Sequence, residues 1–106
     1  MEIEFVKPYL LELYTHGRSQ NKKHRFQPNV ILKYIQIVDR LRSIGRMEDL
    51  YAIKSLNIKK LQGDKAGLWS VRVNHQYRIE IFLTQHINDI QTITVCSIVD
   101  LSNHYT

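Results

Sequence analysis

The apolar residues of this chain change period part-way along it, and that change limits the folds open to it. Beyond Pro28, Ile31, Ile35, Val38 and Leu41 form one stripe, with Lys33, Gln36, Asp39, Arg40 and Arg42 mostly elsewhere, as far as Gly45. Proline at the start, glycine at the end and apolar side chains every three or four positions predict an amphipathic helix. After Leu56 the period falls to two, through a connector in which Gly63 and Gly67 flank Asp64 and Lys65. Residues 68–74, 78–83 and 90–99 then read as three strands, with a turn between the last two whose tip is Asn88-Asp89. A helical pattern and an alternating one cannot share an element, so the order predicts an α+β fold: helices packed on one face of an antiparallel three-stranded meander.

The remaining segments extend this plan. Residues 2–6 alternate, with Ile3 and Phe5 on one face, and predict a short first strand that Pro8 ends. The run from Pro8 to His16 is rich in helix formers and closes at Gly17. Residues 18–25 hold no apolar side chain and predict an exposed, solvated basic loop that carries Lys22, Lys23 and Arg25. Residues 47–54, acidic early and basic late, predict a shorter helix that forms a hairpin with the one before it. At 106 residues the chain suffices for one core, and residues 1–106 are taken as a single domain.

Fifteen Lys and Arg against ten acids give a net charge of +5, which favours a polyanionic partner. No apolar run is long enough to span a bilayer, and no export signal follows Met1, so no membrane partner and a cytoplasmic location are expected. Cys96, the single cysteine, lies in a β-branched run and predicts a buried, inert thiol. His16, His24, His75 and His86 are dispersed, and there is no phosphate loop, H-E-x-x-H or zinc spacing, so neither metal nor cofactor is expected.

The strand register decides where the charges fall. Closing Asn74 against Arg78, with His75, Gln76 and Tyr77 in the loop, pairs Val73 with Ile79, Val71 with Ile81 and Trp69 with Leu83 on an apolar face. Ser70, Arg72, Asn74, Arg78, Glu80 and Phe82 then share the opposite, open face. A solvated sheet face also carries such residues in ordinary antiparallel sheets.

From Leu61 to Phe82 the sequence contains Gly63, Gly67, Trp69, Ser70, Arg72, Asn74, Gln76, Tyr77 and Arg78 in the spacing G-x-x-x-G, aromatic-Ser-hydrophobic-Arg-hydrophobic-Asn, then Gln-aromatic-Arg-hydrophobic. This resembles the HigB-type toxins of bacterial toxin–antitoxin pairs, in the RelE/ParE superfamily. The resemblance implies a RelE-like fold and a cofactor-free endoribonuclease that cuts mRNA in the ribosomal A site, held by a HigA-like antitoxin. Metal-free RNA cleavage needs a group to take the 2′-hydroxyl proton, cations for the charged phosphorane, and a group to protonate the 5′-oxygen. The resemblance assigns Lys60, Arg72 and Arg78 to phosphate charge, Asn74 to positioning, and Asp100 or His104 to proton transfer. Lys22, Lys23, Arg25, Lys59, Lys65, Tyr77 and Tyr105 are further RNA-contact candidates. The chain departs from the family at its end, where Val99 and Asp100 match but Leu101 and Ser102 replace an aromatic and a histidine, and at Asn57, which stands where a histidine often precedes Lys60. Those departures leave two alternatives: a ParE-like toxin acting on DNA gyrase by protein contact, and an inactive basic binding module.

Overall fold

The computed structural model describes residues 1–103. Strand β1 (Glu2–Phe5) leads into helix α1 (Pro8–His16), and a 3-10 turn (Lys22–His24) precedes helix α2 (Pro28–Ser43). Helix α3 (Met47–Ala52), a second 3-10 turn (Lys54–Leu56), strand β2 (Lys59–Lys60), a third turn (Gly63–Lys65) and strands β3 (Trp69–Arg72), β4 (Arg78–Ile87) and β5 (Thr92–Ser102) complete the order. Pro8 and Pro28 each open their helix with an N–H already absent. Gly17, at φ 70°, ends α1 in the left-handed conformation, and its N–H reaches the Leu13 carbonyl at 3.0 Å.

The fold is α+β as the period change predicts, with a larger sheet. It has five strands in the order β1-β5-β4-β3-β2, with β1 parallel to β5 and the other pairs antiparallel. β5 is therefore an inner strand, and it buries Val95, Cys96 and Ile98. It also runs further than the period suggests: Asp100, Leu101 and Ser102 belong to the strand, not to a segment beyond it. In the turn before it, the Asn88 carboxamide oxygen accepts from the backbone N–H of Ile90 at 2.8 Å and of Gln91 at 2.9 Å.

The β3–β4 register differs by two residues from the predicted one. Trp69 faces Ile81, Ser70 faces Glu80, Val71 faces Ile79 and Arg72 faces Arg78. The connection is a wider loop over residues 73–77, closed by Val73 and Asn74 N–H donating to the Tyr77 carbonyl at 3.0 and 3.2 Å. An even shift keeps every side chain on its expected face, so Val71, Ile79 and Ile81 still point into the core.

That core joins one sheet face to the helices through Leu10, Leu13, Tyr34, Val38, Leu41 and Leu50, all fully buried. The helices that pack together are α1 and α2, tied by the Tyr34 hydroxyl donating to the Leu10 carbonyl at 2.7 Å. The expected hairpin of α2 with α3 is not a comparable pair: α3 is a helix of six residues, and it contributes Leu50 to the core. Burial pushes the Cys96 thiol up to about 12, so it packs as a small hydrophobe. Among the described residues no helix is long and apolar enough to cross a membrane.

Candidate active site

Arg72 ends β3 and Arg78 begins β4 directly opposite it. Two like charges facing across a strand pair repel unless each has somewhere else to go. Arg78 turns inward and is 8% exposed: Nε donates to the Ser70 hydroxyl at 2.8 Å, and Nη2 reaches the Asn57 carbonyl at 2.6 Å and that of Ser70 at 3.4 Å. Asn57 presents its carbonyl from a left-handed conformation, φ 43° and ψ 53°, which asparagine tolerates better than other side-chain-bearing residues. Arg72 turns outward, and its Nη2 donates to Nδ1 of His75 at 3.0 Å.

The result is an open polar pocket of about 250 Å³ at the mouth of the hairpin, lined by Asn57, Arg72, Asn74, His75 and Arg78. A second hollow, of about 230 Å³, lies on the other side of Arg78 and is lined by Lys59, Lys60, Leu61 and Ser70 with it. Arg78 thus forms a wall shared by two cation-lined recesses, a geometry suited to an anion with several oxygens.

Several expected site residues lie elsewhere or are otherwise engaged. Asn74 spends its carboxamide oxygen on the turn, accepting from Gln76 and Tyr77 N–H at 2.9 and 2.7 Å, so it shapes the loop that carries His75. Glu80 is not on a solvated face: it is 2% exposed and paired with Lys65, which draws Lys65 from an RNA-facing role into holding a buried carboxylate. β2 places Lys59 opposite Ser70 and Lys60 opposite Trp69. Because successive side chains alternate, Lys59 shares the Arg78 face, whereas Lys60 stands over the Trp69 ring with Nζ 5.2 Å from its centre.

Asp100 is bound into the fold. β1 stops at Phe5, so the edge of β5 beyond Ile98 lacks a neighbouring strand, and the Tyr9 hydroxyl takes its place by accepting from Leu101 N–H at 3.0 Å. The same hydroxyl donates to the Asp100 carboxylate, which also meets Lys7 at 3.4 Å. Burial, and then the bond to Asp100, raise the Tyr9 pKa well above that of an ordinary phenol. A β-bulge accompanies this clasp: Glu80 pairs with Asp100 but Ile81 pairs with Ile98, leaving Val99 unmatched.

The basic loop is less detached than its composition suggests. His24 stacks on Tyr9 with ring centres 3.6 Å apart, and Phe26 continues the contact edge-on to Tyr77 at 5.5 Å. Tyr77 is thereby half-buried packing and not a free stacking platform, while Lys22, Lys23 and Arg25 remain exposed. His104 and Tyr105 lie outside the described residues. The residues that sequence reasoning missed are His75, dismissed as an isolated histidine, and Asn57, whose contribution is a backbone carbonyl. Among the described residues no group of three or more His, Cys, Asp or Glu could hold a metal ion.

No protein-family model matches the chain, and no curated protein does. Solved structures do match along nearly its whole length. A YoeB/ParE toxin from Agrobacterium tumefaciens is 16% identical at a TM-score of 0.57, covering 99% of this chain and 100% of the other. The YoeB–YefM complex from Staphylococcus aureus matches at 27% identity and a TM-score of 0.55, over 99% and 98%. YafQ from E. coli strain BL21(DE3) matches at 13% identity and a TM-score of 0.52, over 97% and 92%. The chain has the fold of these toxins, that of the RelE/ParE superfamily.

Proposed function

We propose that the protein is the toxin of a type II toxin–antitoxin pair, an endoribonuclease that cuts mRNA in the ribosomal A site without a metal ion and so stops translation in the cytoplasm. The observation that carries this reading is the pair of guanidiniums, Arg72 and Arg78, converging on one open polar pocket at the hairpin mouth. A phosphodiester passing through a phosphorane gains charge on its non-bridging oxygens, and two guanidiniums beside it stabilise that charge more than the ground state. Arg78 is held by Ser70 and Asn57 before substrate arrives, so its orientation is already set. The pocket is shallow, and a shallow site gains most where another body holds the substrate, which favours mRNA threaded through the ribosome over free RNA.

Membership of the HigB branch rests on the G-x-x-x-G and Ser-x-Arg-x-Asn spacing around Gly63 to Arg78. A HigA-like antitoxin is the proposed partner. Support comes from the Staphylococcus aureus neighbour, solved as a complex of YoeB with YefM, and from the net charge of +5, which an acidic partner surface would complement.

The test is inducible expression in a bacterial host with 5′-end mapping of transcripts, comparing the natural chain with Arg72→Glu, a change at the half-exposed cation. Growth arrest with new cuts inside translated mRNA, lost in the variant, is the expected result. Arrest without cuts would overturn the nuclease reading in favour of a protein target such as DNA gyrase. Absence of arrest would point to an inactive binding module.

A further inference from the structure

We propose that His75 is the group that takes the 2′-hydroxyl proton when RNA occupies the Arg72–Arg78 pocket. The inference rests on the nuclease reading above and names a general base for it among the described residues. Asp100, the described residue expected to transfer protons, is held by Tyr9 and Lys7, away from the pocket's lining. Among the described residues that line the pocket, His75 is the imidazole, beside two guanidiniums and two carboxamides, and imidazole is the side chain suited to proton exchange near neutral pH.

The geometry also defines which nitrogen acts. Nδ1 lies 3.0 Å from Nη2 of Arg72, which can only donate, so the lone pair of this nitrogen is the one engaged by the guanidinium. A phosphodiester entering the pocket competes for the same guanidinium, because a planar fork binds two phosphate oxygens better than one imidazole nitrogen. As Arg72 turns onto the phosphate, Nδ1 is left with a free lone pair beside the bound nucleotide. His75 is exposed on the loop of residues 73–77, and the Asn74 side chain fixes the turn behind it.

The step balances without a further reactant. His75 Nδ1 takes the proton of the 2′-hydroxyl, and the 2′-oxygen forms the new bond to phosphorus. The bond from phosphorus to the 5′-oxygen breaks, and that oxygen takes a proton from water. The imidazolium then returns its proton to solvent, leaving a 2′,3′-cyclic phosphate and a 5′-hydroxyl. Among the described residues, the charged groups lining the pocket with His75 are Arg72 from β3 and Arg78 from β4; the loop and the segment after α3 contribute Asn74 and Asn57, which are neutral.

The experiment is single-turnover cleavage of a defined mRNA on programmed ribosomes across pH, with the natural chain, His75→Gln and His75→Ala. Glutamine can still accept the Arg72 N–H but cannot take up a proton. The expected result is a fall of about 100-fold or more in both variants, with the ascending pH limb lost. Circular dichroism of each variant would confirm that it remains folded, as expected for an exposed loop residue. If His75→Gln keeps the natural rate, or is slower but keeps the pH limb, His75 only positions Arg72 and the proposal is overturned. If the natural chain itself leaves the mRNA intact, the nuclease reading has failed, an outcome distinct from either of these.

Discussion

Arg78 donates from Nε to the Ser70 hydroxyl at 2.8 Å across the β3–β4 pair, and both side chains are buried. A guanidinium this enclosed belongs to the fold as much as to the chemistry. Ser70→Ala removes the acceptor from a buried charged donor, so it should lower unfolding free energy by about 1–3 kcal/mol in urea titrations. It should also slow cleavage, since Arg78 loses one of the bonds that orients it. Arg78→Glu should be far more damaging, because it sets a carboxylate against the Asn57 carbonyl, on the same face as buried Glu80. Retention of natural stability by Arg78→Glu would show that this cradle is not the determinant described here.

Tyr9 and Tyr34 make the stability fall on the alkaline side. Burial raises both phenols in the folded chain. Below the phenol's unfolded value of about 10 both states are protonated, and nothing changes with pH from this source. Above it the unfolded chain releases protons that the folded chain retains, so stability drops by about 1.4 kcal/mol per pH unit for each buried tyrosine. Unfolding free energy measured between pH 9 and 11 should therefore decline, with about half the tyrosine-linked slope lost in Tyr34→Phe. Tyr9→Phe should flatten the slope as well, but at the cost of about 1–3 kcal/mol at neutral pH, because the Leu101 N–H keeps only the Asp100 carboxylate as acceptor and that carboxylate loses the hydroxyl that donates to it.

What was legible in the sequence is what depends on local pattern. Pro8, Gly17 and Pro28 mark helix ends through backbone chemistry that needs no neighbours, and α1 spans the predicted residues. The inward positions of β3 and β4 survive the register error because alternation has a period of two. Register itself was not legible: no Asn-Gly or Gly-x pair fixes residues 73–77 as a tight turn, so the loop could close at either of two lengths. Nor could alternation reveal β2, since Lys59 and Lys60 pair only because β3 passes beside them. In the site, Arg72 and Arg78 were visible as cations on one face. The engagement of Asp100 by Tyr9 was not, for it joins residues 91 positions apart. The role of Asn57 lies in a backbone carbonyl, which side-chain identity does not report.

Glu80 and Lys65 should be energetically coupled. The carboxylate is 2% exposed and its lysine is half-exposed, so removing the lysine deprives a buried charge of one of its partners. In a double-mutant cycle with Lys65→Met and Glu80→Gln, the lysine change should cost more in the natural background than in Glu80→Gln. A coupling of about 1–3 kcal/mol, measured by denaturant unfolding, is expected for residues in direct contact. Strict additivity would mean that the Lys65–Glu80 contact contributes nothing to stability.

Lys59 and Lys60 are adjacent in sequence yet should behave differently toward RNA. Lys59 lies opposite Ser70, on the face where Arg78 is held, and Lys60 lies opposite Trp69 with its ammonium over the indole ring. A phosphate bound at Arg78 therefore meets the field of Lys59 first, while Lys60 keeps part of its charge occupied by the ring. Lys59→Ala should weaken binding to programmed ribosomes and lower the salt dependence of that binding by about one phosphate contact. Lys60→Ala should instead cost about 0.5–1 kcal/mol of stability through the exposed cation–π contact, with a smaller change in binding. Titration at several salt concentrations separates the two, since the loss of a phosphate contact changes the slope of log Kd against log salt and the loss of a stacking contact does not. Equal slopes for the two variants would mean that the alternation of β2 does not sort these lysines, and that the bound strand follows the edge of the sheet and not its open face.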